Sequence, residues 1–204
     1  RFVTQALFEH WSDFGCPAYA QFDNDTRFQG AHQHRDVIGR VTRLCLSLGI
    51  VPVFTPVRET GFQAAVESLN NRWQQKVWHR LHHESLESLC ERSARYTAAA
   101  RRKTTLRQER APLRQPMPEG FRFDAQARPQ GKLIYLRRTD DEGQARMLGR
   151  VFKVQEHWVY RLVRAEVDLD QCNIRFYALR RREPAQQGLL CEAPYQLPER
   201  RFRD

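Results

Sequence analysis

Lysine is scarce in this 204-residue chain: of 34 basic residues only Lys76, Lys103, Lys132 and Lys153 are lysines, and the other 30 are arginines. Long apolar runs are missing as well. None reaches 18 residues, so no segment is expected to span a membrane. The opening RFVTQALFEHW lacks the order of a signal peptide. Its first residue, an arginine, leads us to expect a sequence that starts within a longer reading frame or after processing. Cysteine is thin and unpaired. Cys16, Cys45, Cys90, Cys172 and Cys191 are odd in number and widely spaced, with no C-x-x-C pair. That argues against a disulfide framework or a zinc ribbon, and for reduced structural thiols in a cytoplasmic protein.

What is present is basic charge, unevenly placed. The net charge is +10. Residues 1–60 carry six basic and six acidic side chains, whereas residues 61–204 carry 28 and 18. The rigid donor fork of arginine suits phosphate oxygens. A polyanion partner, nucleic acid being the commonest, is one reading of this surplus. A solvated arginine-rich surface is the other. Twelve Phe and four Trp leave enough apolar surface for a core despite a mean hydropathy of -0.72.

The hydrophobic pattern changes texture along the chain. Residues 2–14 read as a helix, stopped at Gly15-Cys16-Pro17. AYAQF (18–22) reads as a strand that runs into the polar cluster Asp23-Asn24-Asp25-Thr26. Val37, Val41, Leu44 and Leu48 mark one face of a helix over 35–48, capped by Gly49. IVPVF (50–54) is a second strand. A long helix is predicted from Phe62, with Val66, Leu69, Trp73 and Val77 as its apolar stripe. Ser85 is placed to cap another helix, which runs into the basic stretch at 101–110. This half alternates helices and strands and is α/β in class. Residues 111–130 contain four prolines and read as a stiff, extended linker. Beyond it, KLIYLRR (132–138), RMLGRVFKV (146–154), HWVYRLVRAEV (157–167), NIRFYALRR (173–181) and a short run at 189–195 read as strands. Their number and shortness predict a small closed barrel over 131–195. The tail, 196–204, reads as disordered at its end.

Two carboxylates stand out by position. Asp23 follows a strand, at the edge where α/β sheets gather their sites. Glu67 lies one turn into the helix after the next strand. Phosphodiester chemistry uses such carboxylates to hold two divalent ions. Taken singly, each residue also fits an ordinary turn acid or first-turn helix acid.

The strings FDNDTRFQG (22–30), GIVPVFTP (49–56) and ETGFQAAVESLNNRW (59–73) resemble the second half of the integrase-type catalytic core of bacterial insertion-sequence DDE transposases. Asp23-Asn24 with Phe28 matches the family's second acidic motif. Pro56, Gly61, Glu67 and Asn70 or Asn71 match its third. GKLIYLRRTDDEGQARMLGRVFKV (131–154) is similar to the small barrel that follows the core in some members. The resemblance implies a partial RNase H-like core over 1–110, the linker, and an all-β SH3-like barrel. It implies Asp23 and Glu67 as catalytic ligands of Mg²⁺ or Mn²⁺. It also implies double-stranded DNA, both element ends and target, as partner, a homo-oligomer in the full-length protein, and a nucleoid-associated location. Asp25 stands where the family often has Gly; it reads as a loop variation, with an auxiliary-ligand role as the alternative. The interval from Asp23 to Glu67 is longer than the family's usual one. The family's first Asp belongs upstream of the opening helix, and Asp13 is no substitute. Residues 1–204 alone are therefore expected to be inactive, with exposed sheet edge and apolar surface.

The same resemblance directs other residues toward DNA. Asn70 and the stripe Arg72, Lys76 and Arg80 are expected to track phosphates. The denser cluster Arg101, Arg102, Lys103, Arg107 and Arg110 is expected to do so more strongly. Arg137-Arg138 and Arg180–Arg182, at strand ends, are further candidates. Five of the seven histidines, His32, His34, His79, His82 and His83, lack a cysteine partner and read mainly as loop polarity. Trp73 reads as core; Trp78 and Trp158 read as core or, alternatively, as stacking residues. A non-catalytic DNA-binding remnant of a transposase remains the competing functional reading.

Overall fold

Phe22, Phe54 and Tyr135 come from distant parts of the sequence and form one row. In the computed structural model, which describes residues 2–31, 34–59, 61–80, 82–105, 109–180 and 182–199, they are register partners on three adjacent strands. β1 (Tyr19–Phe22) runs parallel to β2 (Val51–Phe54), with Phe22 opposite Phe54. β2 in turn pairs in parallel with β3 (Lys132–Arg138), with Phe54 opposite Tyr135. The Phe54 and Tyr135 rings stack at 5.1 Å between centroids, and both are almost wholly buried. Stacked aromatic pairs of this kind add about 0.5–1.5 kcal/mol beyond the area they bury.

The chain divides into two compact units, residues 1–59 with 114–204, and residues 60–113. In the first, α1 (Phe2–Phe14), a four-residue α2 (Thr26–Gln29) and α3 (Arg40–Ser47) accompany a sheet of order β1-β2-β3-β6-β7-β8. Its later strands are β6 (Leu162–Asp168), β7 (Asn173–Ala178) and β8 (Leu189–Pro194), all antiparallel to their neighbours. β4 (Gln144–Met147) and β5 (Arg150–Lys153) form a separate hairpin. The class is α/β with a mixed sheet.

The small closed SH3-like barrel expected over 131–195 is not what these strands make. Among the described residues no sheet closes. β3 has β6 on one side and β2 on the other, so the edge through which β8 could close a barrel is already taken. β3, β6, β7 and β8 instead extend the sheet begun by β1 and β2.

Other boundaries shift for local reasons. The helix expected over 35–48 begins only at Arg40. Asp36 adopts φ 59°, which a helix cannot accommodate, and Gly39 caps α3 through its backbone. The run 146–154 is a hairpin turned at Leu148 and Gly149, both at positive φ. This two-residue turn matches the twist of the strands. Gly149 is also required sterically, because a Cβ there would lie 2.5 Å from the His34 carbonyl oxygen. Of 157–167, only the part from Leu162 is strand; Trp158 sits in the preceding turn, buried, with its Nε1 donating to Leu162 O at 3.2 Å. The proline-rich 111–130 segment has no helix or strand, and from Arg114 on it is part of the first unit. Cys16 and Gln115 exchange backbone hydrogen bonds of 2.7 and 3.0 Å, and Phe121 stacks on Phe8.

The second unit contains α4 (Ala64–Trp73), continued by a π-helical segment (Gln74–Trp78), and α5 (Leu86–Lys103). Ser85 caps α5, its Oγ accepting from Ser88 N–H at 3.2 Å. Trp73 Nε1 donates to Ser93 Oγ at 2.9 Å and joins the two helices. Of the expected stripe, Val77 is buried, whereas Val66 and Leu69 are exposed and Trp73 is half-buried. Trp78, read from the sequence as core or as a stacking residue, is also exposed. No helix among the described residues is long and apolar enough to cross a membrane.

One polar cluster ties three remote segments of the first unit. The buried Asp36 carboxylate takes two hydrogen bonds from Arg150, 2.8 and 2.7 Å, and one from Tyr195 Oη at 3.2 Å. Arg150→Ala removes both guanidinium hydrogen bonds from that buried carboxylate and should cost about 3 kcal/mol. Tyr195→Phe removes one neutral donor and should cost about 1 kcal/mol. Urea unfolding midpoints measure both. Asp168 supplies a pH test. Burial raises its carboxyl, but the N–H groups of Gln171 and Asp170 and the Lys132 ammonium together hold it below its ordinary value. A depressed folded-state value gives stability that is fully present above the unfolded carboxyl's titration, about pH 3.9, and is lost as pH falls through the folded one. Between pH 6 and pH 3 the parent chain should therefore lose more stability than Asp168→Asn.

Candidate functional site

The Asp23 loop is built by the end of β1. The ladder continues one residue past the strand, with Thr55 N–H donating to Phe22 O at 3.0 Å. The chain then turns through Asp23, whose Oδ1 accepts the Asp25 N–H at 3.0 Å. Asn24 Nδ2 donates to Thr55 O at 2.6 Å and fastens the loop to the end of β2. Asp23 itself is exposed, and Oδ2 accepts no hydrogen bond among the described residues. Asp25 is differently placed. It caps α2, and Arg27 grips both of its oxygens, with Nε 2.9 Å from Oδ1 and Nη2 2.7 Å from Oδ2. That hydrogen bonding lowers the Asp25 carboxyl to about 2. A cation would have to displace Arg27 to use it, whereas Asp23 presents an oxygen without such a competitor.

Glu67 lies in the first turn of α4, exposed, its N–H donating to Gln63 O at 3.0 Å. Asn70 and Asn71, three and four residues on, share its helix face. Asp23 belongs to the first compact unit and Glu67 to the second. Among the described residues no three His, Cys, Asp or Glu side chains form a metal-binding group.

The described residues of the second unit that the resemblance directs toward DNA are exposed. Asn70, Arg72, Lys76 and Arg80 are exposed, and Arg72 Nε donates to its own helix at Ser68 O, 3.1 Å. The π-helical segment contains Lys76, and its i→i+5 turns break the strict i, i+4, i+8 alignment expected for an unbroken α-helix. Arg101, Arg102 and Lys103 fill the last turn of α5, where the helix dipole favours cations. Arg110 is exposed beyond it, and Arg107 lies outside the described residues. His32 does too.

Arg137 differs from its expected place. The sequence places it with Arg138 as a strand-end candidate for DNA contact. Only Arg138 stays near the surface, paired with Glu59. Arg137 is 6% exposed. Its guanidinium donates to Arg146 O, Thr55 O, Leu136 O and Gln29 Oε1 at 2.8–3.5 Å, and it lies 4.8 Å from the Tyr135 ring centroid. Burial pushes this guanidinium down to about 10. The signal in the sequence was the absence of alternation in KLIYLRR, where both faces of β3 are covered.

No protein-family model matches the chain, and no curated protein matches it significantly.

The two residues of the loop should separate in a stability measurement. Asn24→Ala removes a short interstrand hydrogen bond and should cost about 1 kcal/mol. Asp23→Ala changes an exposed side chain and should stay within about 0.5 kcal/mol of the parent. Thermal or urea unfolding of the two variants checks this.

Proposed function

We propose that this chain is the C-terminal part of a DDE-type DNA transposase, with an RNase H-like core half that contributes Asp23 and Glu67 to catalysis. The observation that carries the reading is the setting of Asp23. It is an exposed carboxylate at the carboxyl end of the first strand of a parallel β–α–β unit, the edge where α/β sheets place their sites. The motifs around Glu67, and the run of exposed cations on α5, support it further. The donor chemistry of the two carboxylates fits Mg²⁺ or Mn²⁺, which prefer hard oxygen ligands. Such ions, when bound, activate an attacking hydroxyl and stabilise the leaving oxygen of a phosphodiester. The contribution of this chain is to hold Asp23 on a rigid strand end and Glu67 on a helix. Arg72, Lys76, Arg80, Arg101, Arg102, Lys103, Arg107 and Arg110 supply phosphate contacts to double-stranded DNA. A third carboxylate, an assembly of several copies on paired element ends and a nucleoid location belong to the same reading.

Strand transfer tests it. In a protein that supplies the remaining carboxylate, with end-sequence DNA and Mn²⁺, Glu67→Gln and Asp23→Asn should each reduce 3′-hydroxyl joining by at least about 10²-fold, the scale of a lost electrostatic contact to the reacting centre. Duplex binding should persist in both variants. Unchanged joining in Glu67→Gln would remove that residue from the site.

A further inference from the structure

Three arginines line one cavity beside the Asp23 loop. Arg137, Arg146 and Arg150, with Asn24 and Gln29, enclose 580 Å³, and no Asp or Glu is among the residues that line it. The volume is that of a ligand pocket, commonly about 300–1,000 Å³. Its charge is only partly balanced. Arg150 is matched by Asp36. Arg146, exposed on β4, makes no side-chain hydrogen bond or ion pair among the described residues. Arg137 is the informative one. Its five N–H groups meet four oxygens, all of them uncharged carbonyl or amide oxygens. No carboxylate pairs with it among the described residues. A cation buried without a counter-ion is costly, and an anion that enters beside it offsets the cost.

The sheet register explains why the cavity lies where it does. Phe22, Phe54 and Tyr135 are in line across β1, β2 and β3, so the residues just after them share one edge of the sheet. Asp23 and Asn24 follow Phe22, Thr55 follows Phe54, and Arg137 lies two beyond Tyr135. Asn24 and Arg137 converge on the same acceptor, Thr55 O, at 2.6 and 3.1 Å. Arg137 thus stands at the same sheet edge as the Asp23 carboxylate, two strand spacings away, about 10 Å, and the β4–β5 hairpin brings Arg146 and Arg150 to the same cavity.

The geometry points to a phosphate pocket: the Arg137–Arg146–Arg150 cavity receives a backbone phosphate of the DNA strand and fixes that strand relative to Asp23. This rests on the proposal that DNA is the substrate, and it adds a contact that the transposase motifs do not include. Arginine forks match phosphate oxygens two at a time. Arg146 would make the mobile contact and Arg137 the fixed one, and Arg150 stays anchored by Asp36.

Arg146→Ala tests the pocket in the full chain, because its side chain is exposed and its loss leaves the core intact. Fluorescence anisotropy of a labelled duplex is recorded between 50 and 200 mM salt, with Arg175→Ala on β7 as the control outside the cavity. Pyrophosphate binding, read by NMR shifts of the arginine side chains, runs in parallel. We expect several-fold weaker duplex binding in Arg146→Ala, a salt slope smaller by about one, and no change in the control. Normal duplex binding and slope in Arg146→Ala would overturn the pocket and leave the DNA reading standing. If the parent binds no duplex but binds pyrophosphate through Arg146, the strand is the wrong source of phosphate, and both DNA readings fall. Failure of both probes overturns the pocket as well.

Discussion

Phe54 is the residue on which the first unit depends. It is fully buried, it opposes Phe22 on one side and Tyr135 on the other, and it stacks on Tyr135. Only two residue pairs join β2 to β3 in parallel, Val53 with Ile134 and Phe54 with Tyr135. Backbone hydrogen bonds over so short a seam give little, so the aromatic row has to supply most of the attachment. Through that seam the strands after β3 join the sheet begun by β1 and β2. The Asp36–Arg150–Tyr195 cluster fastens the far side, connecting the loop before α3 to β5 and to the segment after β8.

Much of this fold could be read from the sequence, and the readable parts share a cause. α1 ends at Phe14 because Gly15 and Pro17 follow, β3 spans the run KLIYLRR, and Ser85 caps α5. These features are decided within a few residues. The errors lie where a distant partner decides. The strands after the prolines look like a barrel when considered alone, because nothing in KLIYLRR announces that β2 occupies its second edge. The late start of α3 turns on Asp36 at positive φ, a conformation held by Arg150, 114 residues away. The apolar stripe Val66, Leu69, Trp73 and Val77 has the right period, but periodicity says which face is apolar and not whether anything covers it.

The candidate site shows the same division. Asp23 at a strand end and Glu67 in a first helical turn were legible from spacing and motif. Arg137 was not, because an arginine pair at the end of a strand normally marks solvent. Its burial depends on Thr55, Gln29 and Arg146 converging from three other segments. The difference between Asp23 and Asp25 is likewise local and invisible in the sequence. Arg27 occupies both oxygens of Asp25, and only the geometry of the turn reveals it.

The first unit is discontinuous: residues 60–113 interrupt it between β2 and β3. That interruption has a consequence for biosynthesis. At about 5–20 residues per second, β2 leaves the ribosome several seconds before the strand that covers its edge. Tyr195, which completes the Asp36 cluster, comes later still. Through that interval β1 and β2 carry their aromatic side chains and an open edge without their partner. The inserted helices, whose contacts are local, are free to form first. Folding order would thus run against chain order within the first unit, with β1 and β2 completed by strands made after the inserted helices.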